Sequence, residues 1–213
     1  MITIIKKFVL RILPSKLIFY RIYKLNVWGD TTTKSGPGSN LKNTHNLIEE
    51  LQKIIKNYNI KKILDIPCGD FFWFKQINVH GIDYKGGDIV KSLIKNNQKK
   101  YGCKNINFFS IDIRKDKLPE ADLLICRDLF IHLSNKDILE TIKNIRNSSI
   151  NYVLLTTYKK ITENTDIPTG KFRPINLFLP PFNFDIPILE FLDTSQNSAE
   201  DIMGKSICLW RNK

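Results

Sequence analysis

The chain has no long uncharged apolar run. Across its 213 residues, Lys and Arg break every stretch short of the ~18 apolar residues a membrane-spanning helix needs, which excludes a span. Cysteine is scarce: Cys68, Cys103, Cys126 and Cys208 are scattered and form no C-x-x-C pair. That argues against a zinc cluster or a disulfide framework and for a reduced, cytoplasmic protein. Acidic residues are absent before Asp30, where Lys6, Lys7, Arg11, Lys16, Arg21 and Lys24 already lie, so half of the net charge of +12 sits at one end. A basic surface favours anionic partners such as nucleic acid, acidic lipid or a phosphorylated small molecule. Abundant Ile, Lys and Asn along the whole chain make composition alone the competing explanation. What remains is ordinary globular material: 42% hydrophobic and 25% charged residues exclude disorder as the main theme and suit about one domain.

The order of elements points to one architecture. Residues 1–25 are basic and amphipathic, with Ile4, Ile5, Phe8, Val9, Ile12 and Leu13 on one helical face until Pro14 interrupts. Arg11 and the lack of a small-residue cleavage site speak against a signal peptide. Such a segment packs on its own domain or on a second copy of the chain as a homodimer contact, or it lies on the inner face of a membrane. A loop over Gly29–Asn40 leads to a helix carrying Leu41, Ile48, Leu51, Ile54 and Ile55, with Ser39 or Asn40 as its cap. Short apolar strands then alternate with helices: 63–66, 84–89, 106–113, 122–126 and 152–156, with helices through Leu93–Tyr101 and from Ser134 onward. A further helix is expected to open at Phe71–Phe74. Strand–helix–strand repetition predicts an α/β fold, a doubly wound, mostly parallel sheet of seven strands. After a Pro-rich segment, Ile186–Leu192 and Ser206–Trp210 are expected to close it as an antiparallel pair. The reading divides the chain into an N-terminal helical extension, 1–35, and one domain, 36–213.

In such sheets ligands bind beyond the carboxyl ends of the strands. Four successive strand ends carry acids here. Asp65-Ile66-Pro67-Cys68-Gly69-Asp70 closes the first, Asp88 the second, Asp112 the third and Asp128 the fourth. An acid about 20 residues after the first turn is placed to accept the two ribose hydroxyls of a nucleoside. Asp112 lies within reach of an adenine amino group, and Asp128 stands where a second substrate would sit. The first turn has only one glycine, Gly69. Close approach of a pyrophosphate normally needs several, which argues against a nicotinamide dinucleotide.

These residues resemble the class I S-adenosylmethionine-dependent methyltransferases over roughly residues 36–213. Ile63–Asp70 looks like their first motif, with Asp88, Asp112 and Asp128 at the successive strand ends. More narrowly, Ser35-Gly36-Pro37-Gly38-Ser39, Pro67-Cys68-Gly69-Asp70 with Trp73, Cys126-Arg127-Asp128 with His132-Leu133, and Pro180-Pro181-Phe182 resemble bacterial enzymes of surface (capsular) polysaccharide clusters that methylate sugar hydroxyls. The resemblance implies a Rossmann-like fold and S-adenosyl-L-methionine as cofactor, leaving as S-adenosyl-L-homocysteine. The residues expected to bind it are Gly38, Ser39, Asp65, Pro67, Gly69, Asp70, Asp88, Ile89, Asp112, Ile113 and Arg127, with Asp70 attracting the methionine ammonium. The acceptor would be a sugar, nucleotide-linked in view of the basic surface, touched by Trp73, Tyr158, Arg173 and Asn176. Arg173 is expected to grip a phosphate or carboxylate.

An alcohol is too weak an acid to ionise at neutral pH, so a base or a metal must assist. His132 is expected as general base, with Asp128 four residues earlier as its orienter or as acceptor for the substrate hydroxyl. The same pair could hold a divalent cation. Rival functions fit less well. An adenine-N6 enzyme needs an Asp/Asn-Pro-Pro-aromatic turn where this chain has Cys126-Arg127-Asp128, and a cytosine-C5 enzyme needs Pro-Cys at the fourth strand, not at Pro67-Cys68. No appended nucleic-acid module is recognisable, so no nucleic-acid partner is expected. A non-catalytic nucleoside-binding module would have no use for Asp128 and His132.

Overall fold

The computed structural model describes residues 13–193 and 203–212. Seven strands form one sheet: β1 (Lys62–Asp65), β2 (Asp83–Asp88), β3 (Ile106–Ser110), β4 (Leu123–Cys126), β5 (Tyr152–Tyr158), β6 (Leu189–Leu192) and β7 (Lys205–Arg211). Their order is β3-β2-β1-β4-β5-β7-β6. The first five are parallel, and β7 runs antiparallel to both β5 and β6. Strand order reverses between β1 and β4, which opens a crevice at their carboxyl ends. The expected doubly wound sheet with an antiparallel terminal pair is the one observed.

Alternation along the buried strands supplies both faces. Ile63, Leu123, Ile125, Leu154, Ile207 and Leu209 pack on one side with Leu47, Leu51 and Ile54 of α2 (Leu41–Asn57) and Ile94 of α3 (Lys91–Tyr101). Leu64, Leu124, Cys126, Val153, Leu155 and Trp210 pack on the other with Ile138, Ile142 and Ile145 of α4 (Asn135–Arg146). Each fully buried Leu or Ile contributes roughly 1.5–3 kcal/mol. Asn40 caps α2 by accepting from the Asn43 amide at 3.0 Å, and Ser134 caps α4 by accepting from the Asp137 amide at 3.2 Å.

Two elements differ from the sequence-based expectation. Between β1 and β2 there is no α-helix, only a 3-10 turn at Phe74–Gln76. Phe71 takes a left-handed φ of 61° and stacks among Phe74, Tyr84, Tyr101 and Phe108, so ring packing overrides the helical pattern. The third strand stops at Ser110 rather than 113, because the Asp112 amide turns to donate to the Asp116 carboxylate at 2.8 Å.

The described part of the N-terminal segment lies against the strand ends. α1 (Ser15–Lys24) begins directly after Pro14 and buries Ile18 and Ile22. Ile18 packs where Gly170, at φ +94°, has no side chain, and a Cβ there would collide with it. Among the described residues no helix is long and apolar enough to cross a membrane.

Candidate functional site

A cleft of about 1130 Å³, open mouth included, lies across the carboxyl ends of β1, β2 and β4. Its floor is Asp65, Pro67, Gly69 and Asp70 from the turn after β1, Asp88 and Ile89 after β2, Asp112 and Ile113 after β3, and Arg127, Asp128 and His132 after β4. Its roof is the N-terminal segment, through Phe19, Tyr23, Trp28, Lys34, Ser35 and Ser39. Residues of the N-terminal extension, joined by Ser39, therefore form one wall of the site.

The turn after β1 is tied to that roof. Gly69 is left-handed at φ +52°, and a Cβ on it would run into Ser35 Oγ. The Asp70 carboxylate accepts from Thr33 Oγ1 at 2.8 and 2.9 Å, from the Lys34 amide at 2.9 Å and from Ser35 Oγ at 3.0 Å. Asp70 was expected to attract the methionine ammonium. In this structure three donors, the Thr33 hydroxyl shared between both oxygens among them, make it the clasp that holds the 33–35 loop.

Asp65 is fully buried, accepts from Tyr84 Oη at 2.8 Å, and is pushed up to about 7 by burial and by Asp88. Burial likewise raises Asp88 to about 6, against the pull of the Val90, Gly69 and Ile89 amides. Asp112 remains in the wall, but Arg114 grips it at 2.8 and 2.7 Å and bridges to Asp137 at 2.9 Å. Burial works against its charge; the guanidinium outweighs that and keeps its pKa below the ordinary value.

A charge network crosses the far end of the cleft. Lys205, 1% exposed at the start of β7, reaches Asp128 Oδ2 at 3.0 Å and Asp193 at 3.4 Å. Arg127 contacts the same Asp128 oxygen at 3.2 Å, grips Asp193 at 3.0 and 3.1 Å, and donates to the Gly38 carbonyl at 2.9 Å. Two cations and two carboxylates thus join four separate parts of the chain. Asp128 has a left-handed φ of 55°, fixed by its amide donating to Thr156 Oγ1 at 3.0 Å. Burial opposes its charge, yet Arg127 and Lys205 hold its pKa well below the usual carboxylate range. Its other oxygen, Oδ1, has no hydrogen-bond partner among the described residues.

His132 ends a 3-10 turn, Phe130–His132, and stacks on Trp28 with ring centroids 4.9 Å apart. Its Nδ1 lies 3.0 Å from the Lys171 carbonyl. A carbonyl can only accept, so Nδ1 carries the proton and Nε2 keeps its lone pair. Burial lowers the imidazole pKa, against the pull of that carbonyl and of Asp128, which favours the neutral ring. The orienting group is therefore the Lys171 carbonyl rather than the expected Asp128.

Three expected substrate contacts lie outside the cleft lining. Arg173 is buried and spends its guanidinium on the Thr165 and Phe130 carbonyls and Asn135 Oδ1, at 2.8 to 2.9 Å. Asn176 braces the Lys159 and Ile161 carbonyls, and Tyr158 is wholly buried. Trp73 does line the cleft. Gly38 contributes its carbonyl to Arg127 rather than a surface to the lining. Lys205, Asp193 and Arg114 escaped the sequence reading. The one signal was a lysine opening the apolar run Ser206–Trp210. Among the described residues no cluster of three or more His, Cys, Asp or Glu is placed to hold a metal ion.

No protein-family model matches the chain, and no curated protein sequence matches it. Solved structures do. The PH0226 protein of Pyrococcus horikoshii is similar over 83% of this chain and 96% of its own, with a TM-score of 0.58 at 17% identity. Magnesium protoporphyrin IX methyltransferase from Synechocystis, with S-adenosylmethionine bound, is similar over 72% and 81%, with a TM-score of 0.51 at 14% identity. With the strand order above, these likenesses show that the chain has the Rossmann-like fold of the class I methyltransferases.

Proposed function

We propose that the protein is an S-adenosylmethionine-dependent O-methyltransferase acting on a hydroxyl of a nucleotide-linked sugar, in the cytoplasm, for surface (capsular) polysaccharide synthesis. The observation that carries the chemistry is His132: a neutral imidazole with its tautomer fixed, in the wall of the cleft that holds Asp88. The cofactor fits the residues present. Asp88 is a buried carboxylate ending β2, and it lines the cleft together with Asp65, Gly69 and Ile89. Asp88 would hold the ribose hydroxyls, and Ile89 and Ile113 would enclose the purine. When bound, S-adenosylmethionine supplies a methyl group activated by its sulfonium.

The chain's own residues then align the acceptor and take its proton. Asp128 stays ionised at neutral pH and is too weak a base to deprotonate an alcohol; held by Arg127 and Lys205, it places a fixed negative charge in the same cleft wall as His132. His132 Nε2 takes the proton as the oxygen attacks. Aromatic faces at Phe19, Tyr23, Trp28 and Trp73 offer stacking surfaces for a sugar, and Lys34 offers charge for a phosphate. The polysaccharide role rests on the motif resemblance at Ser35–Ser39 and Cys126–Asp128.

Transfer of labelled methyl to a panel of nucleotide sugars tests the reading. His132→Ala should lower kcat at least ~100-fold with S-adenosylhomocysteine affinity unchanged. Wild-type turnover in both His132→Ala and Asp128→Asn would remove the mechanism.

A further inference from the structure

The outer side of α1 is unlike its inner side. Ile18 and Ile22 face the protein, whereas Lys16, Leu17, Tyr20, Arg21 and Lys24 are exposed, with Leu17 at 41% and Tyr20 at 36%. Beyond the helix Leu25 and Val27 are exposed at 69% and 61%. Between α1 and the start of α3 runs a groove with an apolar floor of Leu17, Tyr20 and Val90, rimmed by Lys16, Lys91 and Lys95. Among the described residues no acidic one lines it. The 12 residues preceding the described chain add Lys6, Lys7 and Arg11, again with no acid.

We propose that this face docks on an anionic phospholipid bilayer, with the lysines at the headgroups and Leu17 and Tyr20 in the interface. Two features single out that partner. Cations on two helices around one apolar floor complement a surface that is both negative and oily, and interfacial helices carry this pattern. Nucleic acid would use the lysines but leave the apolar floor without a role. The groove borders the cleft and shares Ile89 and Val90 with its lining, but Lys16, Leu17, Tyr20, Lys91 and Lys95 lie outside that lining, so their substitution tests the docking apart from the reaction proposed above.

Sedimentation of the full chain with vesicles tests it. Phosphatidylglycerol/phosphatidylcholine vesicles should carry the protein down at low salt, and phosphatidylcholine alone should not. Lys16→Glu, Lys91→Glu and Lys95→Glu should each weaken partitioning by roughly fivefold or more, and together by roughly a hundredfold or more. Leu17→Ser with Tyr20→Ser should weaken it at unchanged charge. Thermal midpoints within about 2 °C of wild type would show that the variants fold, as expected for exposed positions. No pelleting, equal pelleting with both vesicle types, or binding unaffected by either set of variants would overturn the proposal. So would RNA binding lost on lysine reversal without vesicle binding, or a dimer dispersed by the Leu17/Tyr20 variant.

Discussion

Replacing Lys205 by Met removes one charge from the buried network and leaves its shape nearly intact. The ammonium is 1% exposed and sits 3.0 Å from Asp128 and 3.4 Å from Asp193. Without it, Arg127 faces two carboxylates and one buried negative charge is uncompensated. Breaking a buried ion pair from one side costs about 3–5 kcal/mol. For a chain of this size that corresponds to a fall in Tm of roughly 6–20 °C. The assay is thermal unfolding at pH 7 of wild type, Lys205→Met, Asp193→Asn and the double variant. The double variant restores the balance of charge, so its loss should be well below the sum of the single losses. Neutral pH is the right place to look. Asp128, depressed when folded, stabilises above its unfolded pKa of about 4 and loses this as pH falls through its folded value. For Lys205, burial disfavours the charge but Asp128 and Asp193 raise its pKa, so its contribution is full below about pH 10 and lost above, as pH rises through the folded value. A loss under about 1 kcal/mol for Lys205→Met, or strict additivity in the double variant, would refute the reasoning.

Three further outcomes are expected. Ribose hydroxyls need an ionised Asp88, whose pKa is about 6, so S-adenosylhomocysteine affinity should rise with pH through that value and level off above it. At pH 5 it should be roughly tenfold weaker than at pH 8, and calorimetry at four pH values would show a flat profile if Asp88 is not the contact. Asp70→Ala should release the 33–35 loop while the sheet stays folded, seen as faster amide exchange at residues 33–39 with exchange in β4 and β5 unchanged; unaltered protection in the loop would contradict the clasp. Gly69→Ala should cost about 1–3 kcal/mol, from the left-handed backbone and the clash with Ser35 Oγ, and a neutral effect on urea unfolding would count against that packing.

The sheet was legible because its physics is local. The nearly unbroken apolar run at Asp122–Cys126 reads as a central strand, and the structure buries all four side chains of Leu123–Cys126; acids at strand ends stand out against such runs. Asp65, Asp88 and Asp128 fall into one cleft for that reason. The missing helix after β1 was not legible. Phe71–Phe74 has a helical look, and only the rings gathered around Phe71 show why the chain turns left-handed instead. Arg173 has the chemistry of a phosphate ligand, and its carbonyl partners at Thr165 and Phe130 are visible only once the loops meet. Lys205 and Asp193 find Asp128 and Arg127 across more than 60 positions, a pairing that no periodicity reveals. The roof was left open for a related reason: amphipathicity shows that α1 must bury one face, but not whether against its own domain, a second copy or a membrane.

The central claim, that the cleft over β1, β2 and β4 binds the nucleoside of S-adenosylmethionine, is tested most directly by calorimetric titration with S-adenosylhomocysteine. Wild type and Asp88→Ala should be compared at pH 8. Micromolar binding, weakened at least tenfold or about 1.4 kcal/mol by the substitution, is the predicted result. No binding by the folded wild type, or equal binding by both, would contradict the account.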